Sequence, residues 1–376
     1  MTISYAPTEE TALIRSTTRQ FLEEVVPLSR VREMMLERRD FDMEIWKSMA
    51  ELGWQGLAIP EEHGGAGYGM VELGVVLEEM GRLLTPGPFF ASAVMATQAI
   101  VNAGTSEQKA ALLPRLASGE EIAALAIFEH LRGWDSGGVG ALATRTNGGW
   151  VLEGRKRFVL DAGTADFLIV AARTGRGPDG VGLFVVEMPQ AGVTVTPMQE
   201  LDVTRRQYEV EIEQVAVGDD ALLGGAPSWM PILVTLCRSS VGLAAEQVGG
   251  TQRCLDISVD YAKTRYQFGR PIGSYQAIKH MCADMLVLVE QSRSCAVHAA
   301  HTFEDLEELP ISAALAASYC SEAYEWVAGQ TIQVLGGIGF TWEHDAHLYF
   351  KRAKASSLLL GDPLHHRRML ADALGL

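Results

Sequence analysis

The stretch RYQFGRPIGSYQAIKHMCADM, residues 265–285, decides the fold of this chain of 376 residues. A long helical pattern stops there, because the GRP sequence at 269–271 forces the chain to change direction, and helical spacing resumes at Gln276. Arg265 offers a planar fork of N–H donors suited to a pyrophosphate, and Phe268 offers a flat apolar contact. The pattern predicts two helices joined by a tight turn that carries candidate ligand contacts.

A second stretch, QVLGGIGF at residues 333–340, places further glycines where another helical pattern ends. Taken singly, these features have ordinary structural explanations. Arg265 would cap a helix, Phe268 would belong to the core, and Gly336 with Gly337 would form a turn. A ligand site becomes the better interpretation only when both stretches are considered together and in this order.

Working outward, residues 1–120 carry apolar side chains every three or four positions, as in ALIRSTTRQFLEEVV, and predict a helical domain. This pattern is interrupted at residues 57–69 by LAIPEEHGGAGYG, where Pro60 and four glycines cannot continue a helix. Residues 121–226 hold short β-rich runs separated by Gly, Pro and Asp, which predict five or six strands in a small barrel or sandwich.

Helical spacing returns over residues 227–376, with breaks near 269–273, 307–310 and 336–339. Three breaks divide this region into about four long helices, which predicts a bundle. The order along the chain is therefore helices, then a β domain, then a helical bundle.

Composition excludes several classes of protein. An apolar fraction of 48% and a charged fraction of 21% are typical of a globular protein, and a net charge of -16 argues against nucleic-acid binding. Five cysteines without a CxxC pair predict reduced thiols, and the nine histidines show no metal-ligand spacing. Because no signal peptide or apolar stretch of about 18 residues is present, we expect a cytoplasmic protein without a membrane partner.

The domain order and the two stretches resemble the acyl-CoA dehydrogenases over essentially the whole chain. The resemblance implies an α+β multidomain fold with an N-terminal helical domain (1–120), a central β-barrel or sandwich domain (121–226) and a C-terminal four-helix bundle (227–376). It implies FAD-dependent α,β-desaturation of an acyl-CoA thioester, with electrons passed to an electron-transfer acceptor. It further implies an oligomer, a dimer of dimers, in which six residues hold the FAD of a neighbouring subunit: Arg265, Phe268, Gln276, Gln333, Gly336 and Gly337.

The chain departs from the family pattern in the β domain. Family members carry a threonine that supplies a hydroxyl to the isoalloxazine ring, and Phe128 in IFEHLRGWDSGG stands at that position. Trp134, Asp135 and Ser136 match the motif that follows only loosely. Because a phenyl ring cannot donate a hydrogen bond, we expect this chain's own β domain to bind flavin poorly.

The chain also departs from the family at the catalytic base. Aligned without gaps, Leu360 stands where the family glutamate is expected, and Ser239 stands at the alternative base position on the first bundle helix. Neither side chain is a carboxylate able to take the α-proton.

Two acids remain candidates for a displaced base. Glu246 lies seven residues after Ser239, on nearly the same helix face but about 11 Å along the axis, so a buried glutamate paired to a neighbour is the favoured interpretation. Asp362, in LGDP, is more naturally a turn residue before proline. The HHRRM sequence at residues 365–369 predicts a solvated helix start whose charges could meet a cofactor phosphate.

The leading hypothesis is therefore a base-less subunit that contributes a flavin clamp to a homologous partner in a heterotetramer, as in bacterial enzymes of fatty acid or steroid degradation. The alternatives are a self-sufficient homo-oligomeric flavoenzyme using Glu246 or Asp362, a flavin oxidase or monooxygenase, and a cofactor-free structural homologue. Small residues at Gly242, Ala244 and Ala245 slightly favour a wide acyl group.

Overall fold

The computed structural model describes residues 6–37, 41–129 and 133–376. The chain forms two compact units. The helical unit comprises Met1–Met35, Met70–Thr85 and Ser240–Leu376, and the sheet unit comprises Leu36–Gly69 and Pro86–Ser239.

Eleven α-helices occur in the described residues. In chain order they are α1 (Glu9–Val25), α2 (Leu28–Glu37), α3 (Met43–Glu51), α4 (Met70–Leu83), α5 (Thr97–Ala103), α6 (Ser106–Ala117), α7 (Trp229–Thr264), α8 (Gln276–His301), α9 (Leu309–Leu335), α10 (Ala346–Ser356) and α11 (Pro363–Leu374). A π-helical segment, Phe90–Ala96, leads directly into α5. None of the described helices combines the length and the apolar character needed to cross a membrane.

Local sequence explains where these helices begin and end. Thr8 caps α1 reciprocally, because its Oγ1 accepts from Thr11 N at 3.1 Å while its own N–H donates to Thr11 Oγ1 at 2.9 Å. All three predicted breaks in the C-terminal region are present. A fourth break separates α10 from α11, where Gly361 has a φ of +121° and Asp362 precedes Pro363, so the region holds five helices where four were predicted.

Seven strands of the sheet unit form one sheet. They are β1 (Ala123–Ala126), β2 (Leu142–Thr146), β3 (Gly149–Leu160), β4 (Phe167–Arg173), β5 (Val181–Glu187), β6 (Val193–Pro197) and β7 (Gln207–Gly218). The order is β1-β4-β2-β3-β7-β6, with β5 also on β4; the β1–β4 and β2–β4 pairs are parallel and the others antiparallel. The sequence predicted five or six strands in this region and the structure has seven; β1 and β2 are the strands that the sequence did not indicate. Val170, Phe184 and Val210, all fully buried, belong to the core of this unit.

The five cysteines are free thiols. Cys237, Cys254 and Cys320 are buried, and burial raises the pKa of Cys237 to about 11 and that of Cys254 to about 12. Cys282 and Cys295 are partly exposed. Buried thiols of this kind are unreactive core residues.

Candidate functional site

The turn after α7 is a two-residue hairpin. Strands β8 (Tyr266–Gln267) and β9 (Arg270–Pro271) pair antiparallel, and the two residues between them, Phe268 and Gly269, both have left-handed φ values of +52° and +80°. Two consecutive positive φ values are typical of a type I′ turn, which needs glycine at one position and strains phenylalanine at the other. The turn presents the Phe268 ring to solvent, 92% exposed, so the interpretation of Phe268 as a core residue is wrong.

The polar residues of this segment are also available to a ligand. The side chain of Arg265 is exposed and makes no hydrogen bond or ion pair with any residue that the structure describes, so it does not cap α7. Gln276 is the first residue of α8 and is exposed, and no side chain caps that helix. By contrast, the guanidinium of Arg270 lies over the Tyr275 ring, 4.0 Å from its centroid.

The second segment ends α9. Gly336 has a φ of +64°, and a side chain added at Gly336 or Gly337 would meet no atom within 4 Å. Gln333 and both glycines are exposed. The backbone here is therefore open to close approach by another molecule.

The six residues of the predicted clamp form a donor set that suits FAD. A guanidinium and exposed amides match the pyrophosphate and ribose oxygens of a dinucleotide, and Phe268 supplies an apolar face. All six lie in the helical unit, in two separate segments, and all six are exposed in this chain. Their role as a flavin clamp stays a prediction.

The position that the resemblance assigns to the catalytic base is buried. Leu360 is 4% exposed, and it is followed by Gly361, where an added side chain would lie 2.5 Å from His365 Cδ2. His366 is 5% exposed, and burial lowers its pKa to about 4. The prediction of a solvated helix start at residues 365–369 is therefore wrong for His366, since this ring packs back toward Gly361.

The other polar groups near the base positions have partners within the chain. Ser239 is fully buried, and its hydroxyl donates to the carbonyl of Thr235 at 2.7 Å. Asp362 is the N-cap of α11, and its Oδ1 accepts from His365 N at 2.7 Å. A carboxylate that caps a helix is oriented toward backbone N–H groups of its own chain.

Glu246 forms a buried ion pair. Its Oε1 accepts from Arg352 Nη1 at 2.9 Å, and the two side chains are 6% and 2% exposed respectively. The buried hydroxyl of Tyr324 has no hydrogen-bond partner within the described residues. Burial raises the pKa of this hydroxyl, which also interacts electrostatically with Arg352 and Glu246. A proton taken up by Glu246 would deprive the buried Arg352 charge of this counterion, so the carboxylate is poorly suited to act as a base.

The sheet unit contains a buried charge that the sequence analysis missed. Lys156 is fully buried, and its Nζ donates to Glu129 Oε1 at 2.6 Å and to the carbonyl of Ile127 at 3.1 Å. Burial lowers the pKa of Lys156 to about 8. Lys156 lies four residues after buried Leu152 on β3, so both side chains point to the same face of the strand. This alternation is the sequence signal that could have predicted a buried lysine.

The segment with the altered flavin motif lies next to that pair in the chain. Phe128 is 9% exposed and meets the Trp134 ring edge to face at 4.6 Å between centroids. Asp135 Oδ1 accepts from the backbone of Gly137 and Gly138, and residues 130–132 of the motif lie outside the described residues. Phe128 carries no hydroxyl that could donate to a flavin ring, so poor flavin binding by this segment stays a prediction.

Over residues 6–37, 41–129 and 133–376, no group of three or more His, Cys, Asp or Glu side chains could hold a metal ion.

The domain order of the whole chain has close counterparts among known proteins. Residues 8–120, 124–215 and 229–375 match the N-terminal, middle and C-terminal domains of acyl-CoA dehydrogenases respectively.

The chain belongs to the acyl-CoA dehydrogenase family. Acyl-CoA dehydrogenase IpdE2 of Mycolicibacterium smegmatis is 34% identical over 364 residues, which cover 96% of this chain and 98% of IpdE2. A chain of the ChsE4-ChsE5 complex from Mycobacterium tuberculosis superposes with a TM-score of 0.89 at 27% identity, over 99% of both chains. A chain of a variant of the Tcur3481-Tcur3483 steroid ACAD gives a TM-score of 0.87 at 31% identity, over 98% of both chains.

Membership of this family confirms the predicted fold class and the enzyme class, an oxidoreductase acting on CH–CH groups. The flavoprotein relatives imply a flavin cofactor.

Proposed function

We propose that this chain is the base-less subunit of a heteromeric, FAD-dependent acyl-CoA dehydrogenase. The observation that carries the proposal is the state of the candidate bases. The family position is a buried leucine, Leu360, while Glu246 is held by Arg352 and Asp362 caps α11. A homologous partner would then provide the carboxylate that removes the α-proton of the thioester.

The contribution of this chain is the clamp. Bound FAD would supply the acceptor for the hydride that leaves the β-carbon of the acyl group. Arg265 would donate to the pyrophosphate, Phe268 would cover an apolar face of the cofactor, and the open backbone at Gly336 and Gly337 would allow close approach. Exposed side chains that make no use of their donors within their own chain are what a contact across a subunit interface requires.

Two of the structural relatives support a heteromeric arrangement, since their names pair two proteins: ChsE4 with ChsE5, and Tcur3481 with Tcur3483. The second is described as a steroid enzyme, which supports a ring-bearing or branched acyl-CoA as substrate. We infer a heterotetramer that passes its electrons to an electron-transfer acceptor.

The test is to purify the chain alone and together with a homologous chain encoded beside its gene. The chain alone should be nearly colourless and should not desaturate acyl-CoA. The co-purified complex should be yellow, with fewer than one flavin per chain and with turnover. Full activity and one flavin per chain in the homomer would overturn the proposal.

Variants of the complex distinguish a specific loss of FAD binding by the clamp from a general loss of stability. Arg265→Ala should lower FAD affinity at least about tenfold, because it removes charge-assisted hydrogen bonds to phosphate. Arg176→Ala is the matched control, since Arg176 is also an exposed arginine but lies in the sheet unit. Equal FAD affinity in the two variants would remove Arg265 from the clamp.

A conservative change tests Asp362 as a displaced base. Asn is as good an N-cap as Asp, so Asp362→Asn keeps α11 capped and removes only the ability to take a proton. The proposal expects turnover within about threefold of the parent complex. A loss of orders of magnitude with flavin still bound would make Asp362 the base.

A further inference from the structure

The helical unit contains a cavity that, apart from Thr8, Thr11 and Ala245, is lined by none of the residues discussed above. It has a volume of about 120 Å³ and lies among α1, α4, α7 and α8. Its walls are largely apolar and include Val71, Val75, Ala245, Val248, Ala296 and Ala300. At about 120 Å³ the cavity is smaller than the roughly 150 Å³ of an engineered cavity that binds benzene, so one small ring or a short branched chain is the largest apolar group that it could hold.

One end of the cavity is charged. Arg15, Glu78 and Arg293 line it, and both arginines pair with the single carboxylate of Glu78, with Arg15 Nη2 at 2.8 Å from Oε2. The neighbouring carboxylate, Glu79, is used mainly by Arg19, which donates to both of its oxygens at 2.8 and 2.7 Å. The side chain of Glu78 is 13% exposed, and those of Arg15 and Arg293 are 34% and 28% exposed, so these charges interact in a partly buried setting.

The count of charges at the cavity wall leaves an excess of one cation. Within this cluster Arg15, Arg19 and Arg293 contribute three positive charges, and Glu78 and Glu79 contribute two negative charges. Each guanidinium has five N–H groups, more than its contacts here use, since Arg15 reaches Glu78 and Glu79, and Arg293 reaches Glu78 and Gln252. A ligand carboxylate at this end would neutralise the excess and accept the remaining donors.

We propose that this cavity binds a small apolar monocarboxylate, with its ring or branched chain among the aliphatic side chains and its carboxylate at Arg15 and Arg293. The site is independent of the proposed clamp, because it needs neither flavin nor a partner subunit. Acetate should bind weakly, because it has too little apolar surface to bury against the walls. Neutral ligands with the same ring or branched chain should also bind weakly, because they cannot neutralise the charged end.

Calorimetric titration of the purified full chain tests this with three probes: benzoate, benzyl alcohol and acetate. Benzoate should bind at least about tenfold more tightly than either of the others, because only benzoate satisfies both ends of the cavity. Equal affinity for benzyl alcohol would show that the charged end is not used and would overturn the proposal, as would the absence of benzoate binding.

Two kinds of variant keep the test decisive. Arg293→Gln should weaken benzoate binding at least about tenfold, whereas Arg115→Gln, at another ion-paired arginine outside the cavity, should leave it unchanged. Gly74→Ala narrows the cavity by a methyl group whose nearest neighbour would be Ala245 Cβ at 3.6 Å, an ordinary contact. It should weaken benzoate binding severalfold while the unliganded chain stays folded. Undiminished binding in Gly74→Ala or in Arg293→Gln would place benzoate elsewhere.

Discussion

Replacing Arg352 by methionine should destabilise this chain by about 3–5 kcal/mol. The magnitude follows from burial: Glu246 and Arg352 are 6% and 2% exposed, with a nitrogen to oxygen distance of 2.9 Å. Removing the guanidinium leaves the Glu246 carboxylate in the interior without this counterion, and solvent barely reaches it. The cost is therefore the desolvation of that charge and not merely the loss of one hydrogen bond.

The double variant Glu246→Met/Arg352→Met should recover most of this loss, because replacing a buried ion pair by apolar side chains of similar volume is often neutral or stabilising. Urea unfolding followed by tryptophan fluorescence, arranged as a double-mutant cycle, measures the coupling directly. The matched control is Arg367→Met. Its ion pair with Glu322 joins side chains that are 54% and 46% exposed, so the expected cost is about 1 kcal/mol or less.

Equal costs for Arg352→Met and Arg367→Met would refute the reasoning, since burial would then make no difference. A double variant as unstable as Arg352→Met would refute it as well. The result bears on function, because a Glu246 carboxylate committed to Arg352 by several kcal/mol cannot exchange protons at low cost.

Three further outcomes are expected. Gly81→Ala should destabilise by about 3 kcal/mol in urea unfolding, because its Cβ would lie 2.0 Å from the Glu246 carbonyl oxygen, while Gly74→Ala on the same helix should be neutral or stabilising by up to about 1 kcal/mol. His366 has a pKa of about 4 when folded against about 6.5 when unfolded. Between pH 6.5 and pH 4 only the unfolded state takes up the proton, so stability falls by about 3 kcal/mol over that range. His366→Asn should flatten that part of the pH profile relative to the parent chain, and exposed His280→Asn should not. Phe268→Ala should change the unfolding free energy of the isolated chain by less than about 0.5 kcal/mol, since the ring is 92% exposed, and a larger loss would place Phe268 in a fold-stabilising contact.

Much of the fold could be predicted because glycine and proline interrupt the helical pattern where the chain turns. The hairpin after α7 and the end of α9 lie at GRP and LGG, as the local conformational limits of those residues require. Strands β1 (AALA) and β2 (LATRT) escaped prediction because they are poor in β-branched and aromatic residues. Their pairing with β4 is a tertiary effect that overrides weak local propensity.

Part of the candidate site could likewise be predicted from the sequence and part could not. A leucine at position 360 and a serine at position 239 can be read directly from the chain, and so can the residue types of the clamp. The partner of Glu246 cannot, because Arg352 is 106 residues away and only the packing of α10 against α7 brings the two together. The cavity was equally out of reach, since its lining comes from four helices that are far apart in sequence.

The candidate bases bind groups of their own chain, whereas the predicted clamp residues keep their hydrogen-bond donors exposed, and this contrast supports a subunit that holds the cofactor without supplying the base. A residue that must bind an external molecule keeps its donors available, and Arg265 and Gln276 are exposed without capping the helices beside them. A base must also present its carboxylate to the substrate, yet the carboxylates of Glu246 and Asp362 both bind groups of their own chain. Since the first condition is met and the second is not, we infer that this polypeptide is equipped to hold a cofactor and depends on another chain for the proton transfer.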